Sequence, residues 1–141
     1  MNNFPDYVLV LEQQPSHDSY KLASLLKSWR SPFLIAKSTA QILNSVRDLS
    51  PCLVILIGNH NNWPHHFSRQ LRVDANLLGY TILALTDATA PTWTGGEDPS
   101  IFDGFLVKPL SFDILDSILQ AAQARRSVKK VTTISAPSAV D

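Results

Sequence analysis

One cysteine, Cys52, in 141 residues leaves no internal disulfide and no cysteine-built zinc site. Charge is also sparse, at 17% of residues, below the usual quarter. Twelve basic residues balance twelve acidic ones. That neutrality excludes a whole-chain electrostatic nucleic-acid binder, whose footprint is basic, and the acidic kind of disordered chain. No apolar run approaches the length of a membrane span, and MNNFPDYVLVLEQQ has no basic stretch ahead of its short apolar run. Neither a membrane segment nor a signal peptide is expected, and a cytoplasmic setting follows as the expectation. The five glycines build no phosphate loop, since Gly58 is isolated and Gly95-Gly96 lies in a proline-flanked segment.

What the chain does have is apolar residues, 45% of the total, enough for the core of one domain. They alternate between two patterns. Tyr7 to Leu11, Pro32 to Ala36, Leu53 to Ile57, Thr81 to Leu85 and Phe105 to Val107 are short, nearly continuous runs, the mark of strands buried on both faces. Between them lie stretches with helical spacing: Leu22, Leu25, Leu26 and Trp29; Ile42, Leu43, Val46 and Leu49; Phe67 and Leu71; and finally Ile114, Leu115, Ile118 and Leu119. Ser16, Ser38 or Thr39, and Ser111 stand where N-caps belong, and Pro64 sits at a helix start. Strands alternating with helices predict an α/β three-layer sandwich, a five-stranded parallel sheet with helices on both faces.

Two segments break the rhythm. Ala90 to Pro99 holds two prolines and Gly95-Gly96, so the helix due between the fourth and fifth strands is expected to be short, shifted or absent. Residues 127–141 show no periodicity and read as a flexible tail or linker after a domain spanning 1–126. The basic residues Arg125, Arg126, Lys129 and Lys130 are expected at the exit of the last helix, facing its negative end.

Four strand ends carry the functional expectations: Glu12-Gln13, Ile57, Thr86 and Lys108-Pro109. In an open parallel sheet such ends line one crevice. The order and spacing resemble the receiver domain of two-component response regulators, a flavodoxin-like fold, over residues 6 to 124. Val8-Leu9-Val10-Leu11-Glu12 is similar to the first strand and its acidic pair, and Ala84-Leu85-Thr86 to the strand ending in a hydroxyl. Asp103 to Pro109 is similar to the segment with the switch aromatic, here Phe105, and the lysine and proline. The resemblance places the phosphoacceptor aspartate at Ile57 and the second acidic residue, a metal ligand, at Gln13, with Asn59 supplying a backbone carbonyl. Isoleucine offers no nucleophile, and Glu12 alone makes a poor magnesium site. The resemblance therefore implies a pseudo-receiver whose vestigial site is Glu12, Gln13, Ile57, Asn59, Thr86 and Lys108, with no catalysis, metal or cofactor. Asp87 is a weak substitute acceptor, because its side chain should diverge from its neighbour's.

Each residue also has a plainer reading. Lys108 is either a residual anion-binding lysine or the ion-pair partner of Glu12; pairing is the expectation, since a partly buried lysine needs a counter-charge. Ile57 is expected to fill the emptied site with apolar volume. His17, His60, His65 and His66 lack tetrahedral spacing and read as solvated. Trp93, Phe105 and Pro109 are candidate partner contacts, the alternative being that Trp93 folds back over the sheet. The expected function is a signal-transduction interaction module binding a sensor kinase, a regulatory protein or a second copy, with no direct nucleic-acid contact. The alternative is a small-molecule sensor using the vacated crevice. An enzyme is not expected, because no base–nucleophile pair is visible.

Overall fold

In the computed structural model every apolar run forms a strand. They are Val8–Glu12 (β1), Phe33–Ala36 (β2), Leu53–Ile57 (β3), Thr81–Thr86 (β4) and Gly104–Val107 (β5). The helices are His17–Trp29 (α1), Thr39–Leu49 (α2), His65–Leu78 (α3) and Phe112–Val140 (α4). The structure describes residues 7–12, 17–29, 32–57, 64–86, 102–107 and 110–140. The helix expected between the fourth and fifth strands falls on residues 87–101, outside the described residues.

All neighbouring strands are parallel, in the order β2-β1-β3-β4-β5. Parallel strands need crossovers, so each face of the sheet receives helices. Alternate side chains point to opposite faces, and the two cores follow that rule. Val8, Val10, Leu53, Ile55 and Ile57 pack with Leu22 and Leu26 of α1 and Leu115, Leu119 and Ala122 of α4. Leu9, Leu11, Val54 and Leu56 pack on the other side with Ile42 and Val46 of α2 and Phe67, Leu71 and Ala75 of α3. Burial on both faces is why the runs are continuous rather than alternating.

The helix ends follow their sequence signals. Ser38 Oγ accepts from the Gln41 N–H at 3.1 Å at the start of α2, and Ser111 Oγ accepts from the Ile114 N–H at 3.3 Å at the start of α4. Gly79, at φ 87°, ends α3 in the left-handed region and returns its N–H to the Ala75 carbonyl at 2.8 Å. The α1 and α4 helices are joined by the Trp29 indole N–H, which donates to the Asp116 carboxylate.

Three expectations need correction. Ile114 is 51% exposed, because Leu115 and Leu119 already fill the seam of α4 and Ile114 lies off it. The segment from 127 is not irregular: α4 continues to Val140. Ala121, Ala122, Ala124, Arg125, Arg126, Lys129 and Lys130 are strong helix formers that carry α4 past Ser127, whereas Val131 to Ile134 and Pro137 beyond them are poor ones. Arg125 and Arg126 consequently lie within the helix, not at its negative end. Arg126 is buried and Arg125 pairs with Asp103 on the body.

Candidate functional site

The strand order reverses between β1 and β3, the point at which ligand crevices open in sheets of this order. There Glu12 and Ile57 are register partners on adjacent strands. The alternation that puts Val8 and Val10 on one face puts Glu12 there too, and Ile55 carries Ile57 to that same face. Glu12 is 4% exposed and Ile57 6% exposed. A buried carboxylate beside a buried isoleucine demands a counter-charge, because an unpaired charge there is costly.

Lys37 supplies it. Its Nζ donates to Glu12 Oε1 at 2.6 Å. The local sequence explains how. Leu11 pairs with Ala36, so the next residue along, Lys37, comes level with Glu12. Phe33 and Ile35 of β2 pack on the core that holds Val8 and Val10, and Lys37 shares their parity. Its backbone is held by the start of α2: the Lys37 N–H donates to Gln41 Oε1 at 2.9 Å, while the Gln41 N–H donates to Ser38 Oγ. This is a reciprocal cap of the Ser-x-x-Gln type, shifted by one residue. The lysine side chain stays 62% exposed along its length while its tip reaches a carboxylate side chain only 5% exposed.

Lys37 is a partner of Glu12 that the sequence reading did not name; the expected partner, Lys108, lies outside the described residues. Lys37 was overlooked because it follows the weakest strand signal; the parity of Phe33, Ile35 and Lys37 and the Ser38-Thr39-Ala40-Gln41 cap were the signals that could have found it. Gln13, Asn59, Asp87, Trp93, Lys108 and Pro109 lie outside the described residues, as do His60 and the side chains of Thr86 and His17. The backbone of Thr86 ends β4 and pairs with Val107, so that strand end sits where the spacing put it. Phe105 is half-buried and meets Phe102 with ring centroids 5.9 Å apart, tilted by 43°. His65 and His66 are exposed, and among the described residues no group of histidine, cysteine and carboxylate side chains is placed to hold a metal. No helix of the described residues is long and apolar enough to cross a membrane.

A second polar cluster sits at the opposite end of the sheet. Asp103 precedes β5 and closes a two-bond ring with Ile82: its N–H donates to the Ile82 carbonyl at 2.8 Å, and its Oδ2 accepts from the Ile82 N–H at 2.8 Å. Its Oδ1 meets Arg72 of α3 at 3.2 Å and Arg125 of α4 at 3.0 Å. Burial pushes this carboxyl up, but the Ile82 N–H and the two guanidinium groups outweigh it and hold Asp103 below the ordinary aspartate value. Nearby, Tyr80 is buried with its hydroxyl donating to the Leu71 carbonyl at 2.9 Å. Burial, then the charge of Asp74, raise its pKa far above the usual tyrosine value.

No known protein family and no curated protein matches the chain by sequence. Its fold, however, is widely shared among solved structures. The receiver domain of the sensor histidine kinase PA1611 from Pseudomonas aeruginosa, with a magnesium ion coordinated in its active-site cleft, superposes with a TM-score of 0.64 at 18% identity, over 83% of this chain and 96% of that one. The receiver domain of the response regulator Ssk1 from Saccharomyces cerevisiae, crystallised with the histidine phosphotransfer protein Ypd1, gives 0.59 at 18% identity over 84% and 89%. A structure described as adenylate cyclase from Rhodopirellula baltica gives 0.64 at 11% identity over 92% and 95%. Further matches are CheY-like response regulator receiver domains. At these identities the likeness establishes the fold: the flavodoxin-like arrangement of receiver domains.

Proposed function

We propose that the chain is a receiver-like signalling module that works through protein–protein contact without being phosphorylated. The observation that carries this reading is Ile57, apolar and 6% exposed, at the strand end beside Glu12. A phosphoryl acceptor there requires a carboxylate. Its partner is a protein, a sensor kinase or regulatory protein; the Ssk1 receiver crystallised with Ypd1 supports that class, and a second copy of the chain belongs to it. Phe105, with Trp93 and Pro109, forms the proposed contact face. Gln13, Asn59, Thr86 and Lys108 complete a vestigial site that scaffolds this face and does no chemistry. The small-molecule alternative is weaker, because Ile57 fills its share of the crevice and Lys37 occupies a Glu12 oxygen.

The test is exposure of the intact chain to acetyl phosphate and magnesium, followed by intact mass measurement. No adduct is expected, and a stoichiometric, acid-labile phosphoryl adduct refutes the reading. In parallel, the wild type is titrated against a histidine phosphotransfer protein by calorimetry. Binding that is unchanged by acetyl phosphate is the expected pattern.

A further inference from the structure

The magnesium ion in the matching PA1611 receiver poses a question of fit for this chain, given the reading of its strand ends as a receiver-like crevice. Magnesium demands near-octahedral oxygen ligation and binds through carboxylates and water. Here the described carboxylate at the crevice, Glu12, is buried and already accepts from the Lys37 ammonium at 2.6 Å. Its register partner is Ile57, an apolar side chain, and the residue following it in the sequence is the neutral Gln13. A divalent ion on Glu12 would have to displace the lysine or sit beside it, and like charges at that separation repel. The described residues do not fit the ion.

We propose that Lys37 is a built-in counter-ion: it supplies from within the chain the positive charge that neutralises Glu12, so that the crevice neither needs nor binds a divalent cation. Three features support the assignment. The β1–β2 register brings Lys37 level with Glu12, the Gln41 side chain fixes the Lys37 backbone, and the contact is a direct ammonium–carboxylate hydrogen bond. Unlike a bound ion, this charge cannot be removed by chelation or dilution. The module therefore holds one charge state at β1 whatever the metal concentration.

The experiment uses Mn²⁺ as the probe, read by paramagnetic broadening of backbone amide signals and by a binding titration. For the wild type, the expected result is no broadening localised to Glu12 and Ile57, and a thermal shift under about 1 °C with about 10 mM Mg²⁺. Carboxylates are then restored by Gln13→Asp with Ile57→Asp, with and without Lys37→Met. Removing the lysine should tighten Mn²⁺ binding by about tenfold or more, and Lys37→Arg should retain the block. Should Ile57→Asp fail to fold, Gln13→Asp with and without Lys37→Met makes the same comparison. Localised Mn²⁺ uptake by the wild type, or equal affinity with and without Lys37, overturns the proposal. A wild type that takes up Mn²⁺ yet resists acetyl phosphate sinks this inference and leaves the functional reading intact. A phosphorylated chain sinks that reading instead.

Discussion

Replacing Asp103 tests how the helices and the sheet edge are held together. Asp103→Ala removes the Ile82 N–H acceptor and both arginine contacts at once. A hydrogen bond to an ionised carboxylate contributes about 1.5 kcal/mol or more. The Arg72 pair, with side chains 18% and 21% exposed, contributes about 1 kcal/mol, at the upper end of surface pairs. The Arg125 guanidinium is 43% exposed, and screening reduces its share to a few tenths, about 0.3 kcal/mol. The total is about 2.5–3 kcal/mol, or a fall in Tm of about 6–10 °C for a chain of this size. Asp103→Asn keeps an acceptor for Ile82 and loses the charge, so about half that loss is expected. The pH dependence supplies a sharper check. The folded carboxyl titrates below the unfolded one, so the unfolded state binds the proton first as pH falls. Its stabilisation is fully present above the unfolded value, about 3.9, and is lost as pH falls through the folded value. Urea unfolding of wild type and Asp103→Asn at pH 7 and at a series of pH values below 4 measures this. The gap should be wide at pH 7 and narrow steadily in acid. A gap below about 0.3 kcal/mol at pH 7, within ordinary surface scatter, or one that does not narrow in acid, refutes the argument.

Other outcomes follow from single contacts. Tyr80→Phe strands the Leu71 carbonyl from its buried hydroxyl and should cost about 1–2 kcal/mol. Because the folded pKa of Tyr80 is raised, the unfolded state releases the proton first, and stability should fall as pH climbs past about 10; ultraviolet titration should show one of the three tyrosines ionising only with unfolding. Ser38→Ala removes the α2 cap at about 1 kcal/mol, and amide exchange at Lys37 should accelerate with it, since Gln41 is then freed to drift. Trp29→Phe deletes the indole donor to Asp116 and should lower stability by about 1–2 kcal/mol, measured by chemical denaturation. Gly104→Ala would place a Cβ 3.3 Å from Leu83 Cδ2; that methyl can turn aside, so a loss under about 1 kcal/mol is expected.

The fold was legible because the strands are buried on both faces. That condition writes itself as continuous runs such as Leu53 to Ile57, set off by Pro51 on one side and Gly58 on the other. The helices were legible wherever one face alone is buried, as with Leu22 and Leu26. The reading failed after Ser127, where the apolar period stops but strong helix formers run on through Lys129 and Lys130. Periodicity reports burial, so it says nothing about a helical segment for which the sequence offers no buried face. Ile114 failed because the buried stripe of α4 runs through Leu115, Leu119 and Ala122 with Ile118 at its flank, and Ile114 falls on the other side of Ile118.

The candidate site was legible in its strand ends, while the Lys37 contact was not. Glu12 and Ile57 could be placed from the sequence because each terminates a strong run. The counter-charge could not, because it depends on how far β2 slides along β1, and Phe33 to Ala36 is short enough to leave that register open. The two ends of the sheet now show the same solution to one electrostatic problem. At the start of β5, Asp103 is neutralised by arginines from α3 and α4; at the end of β1, Glu12 is neutralised by a lysine from the β2–α2 junction. Where a diffusible ion supplies such a charge, the local state follows the ion's concentration. Where the chain supplies it, the state is set at folding. On the proposed reading, a partner of this protein therefore recognises a surface already formed, and regulation must act on the partner or on the complex, not on the crevice.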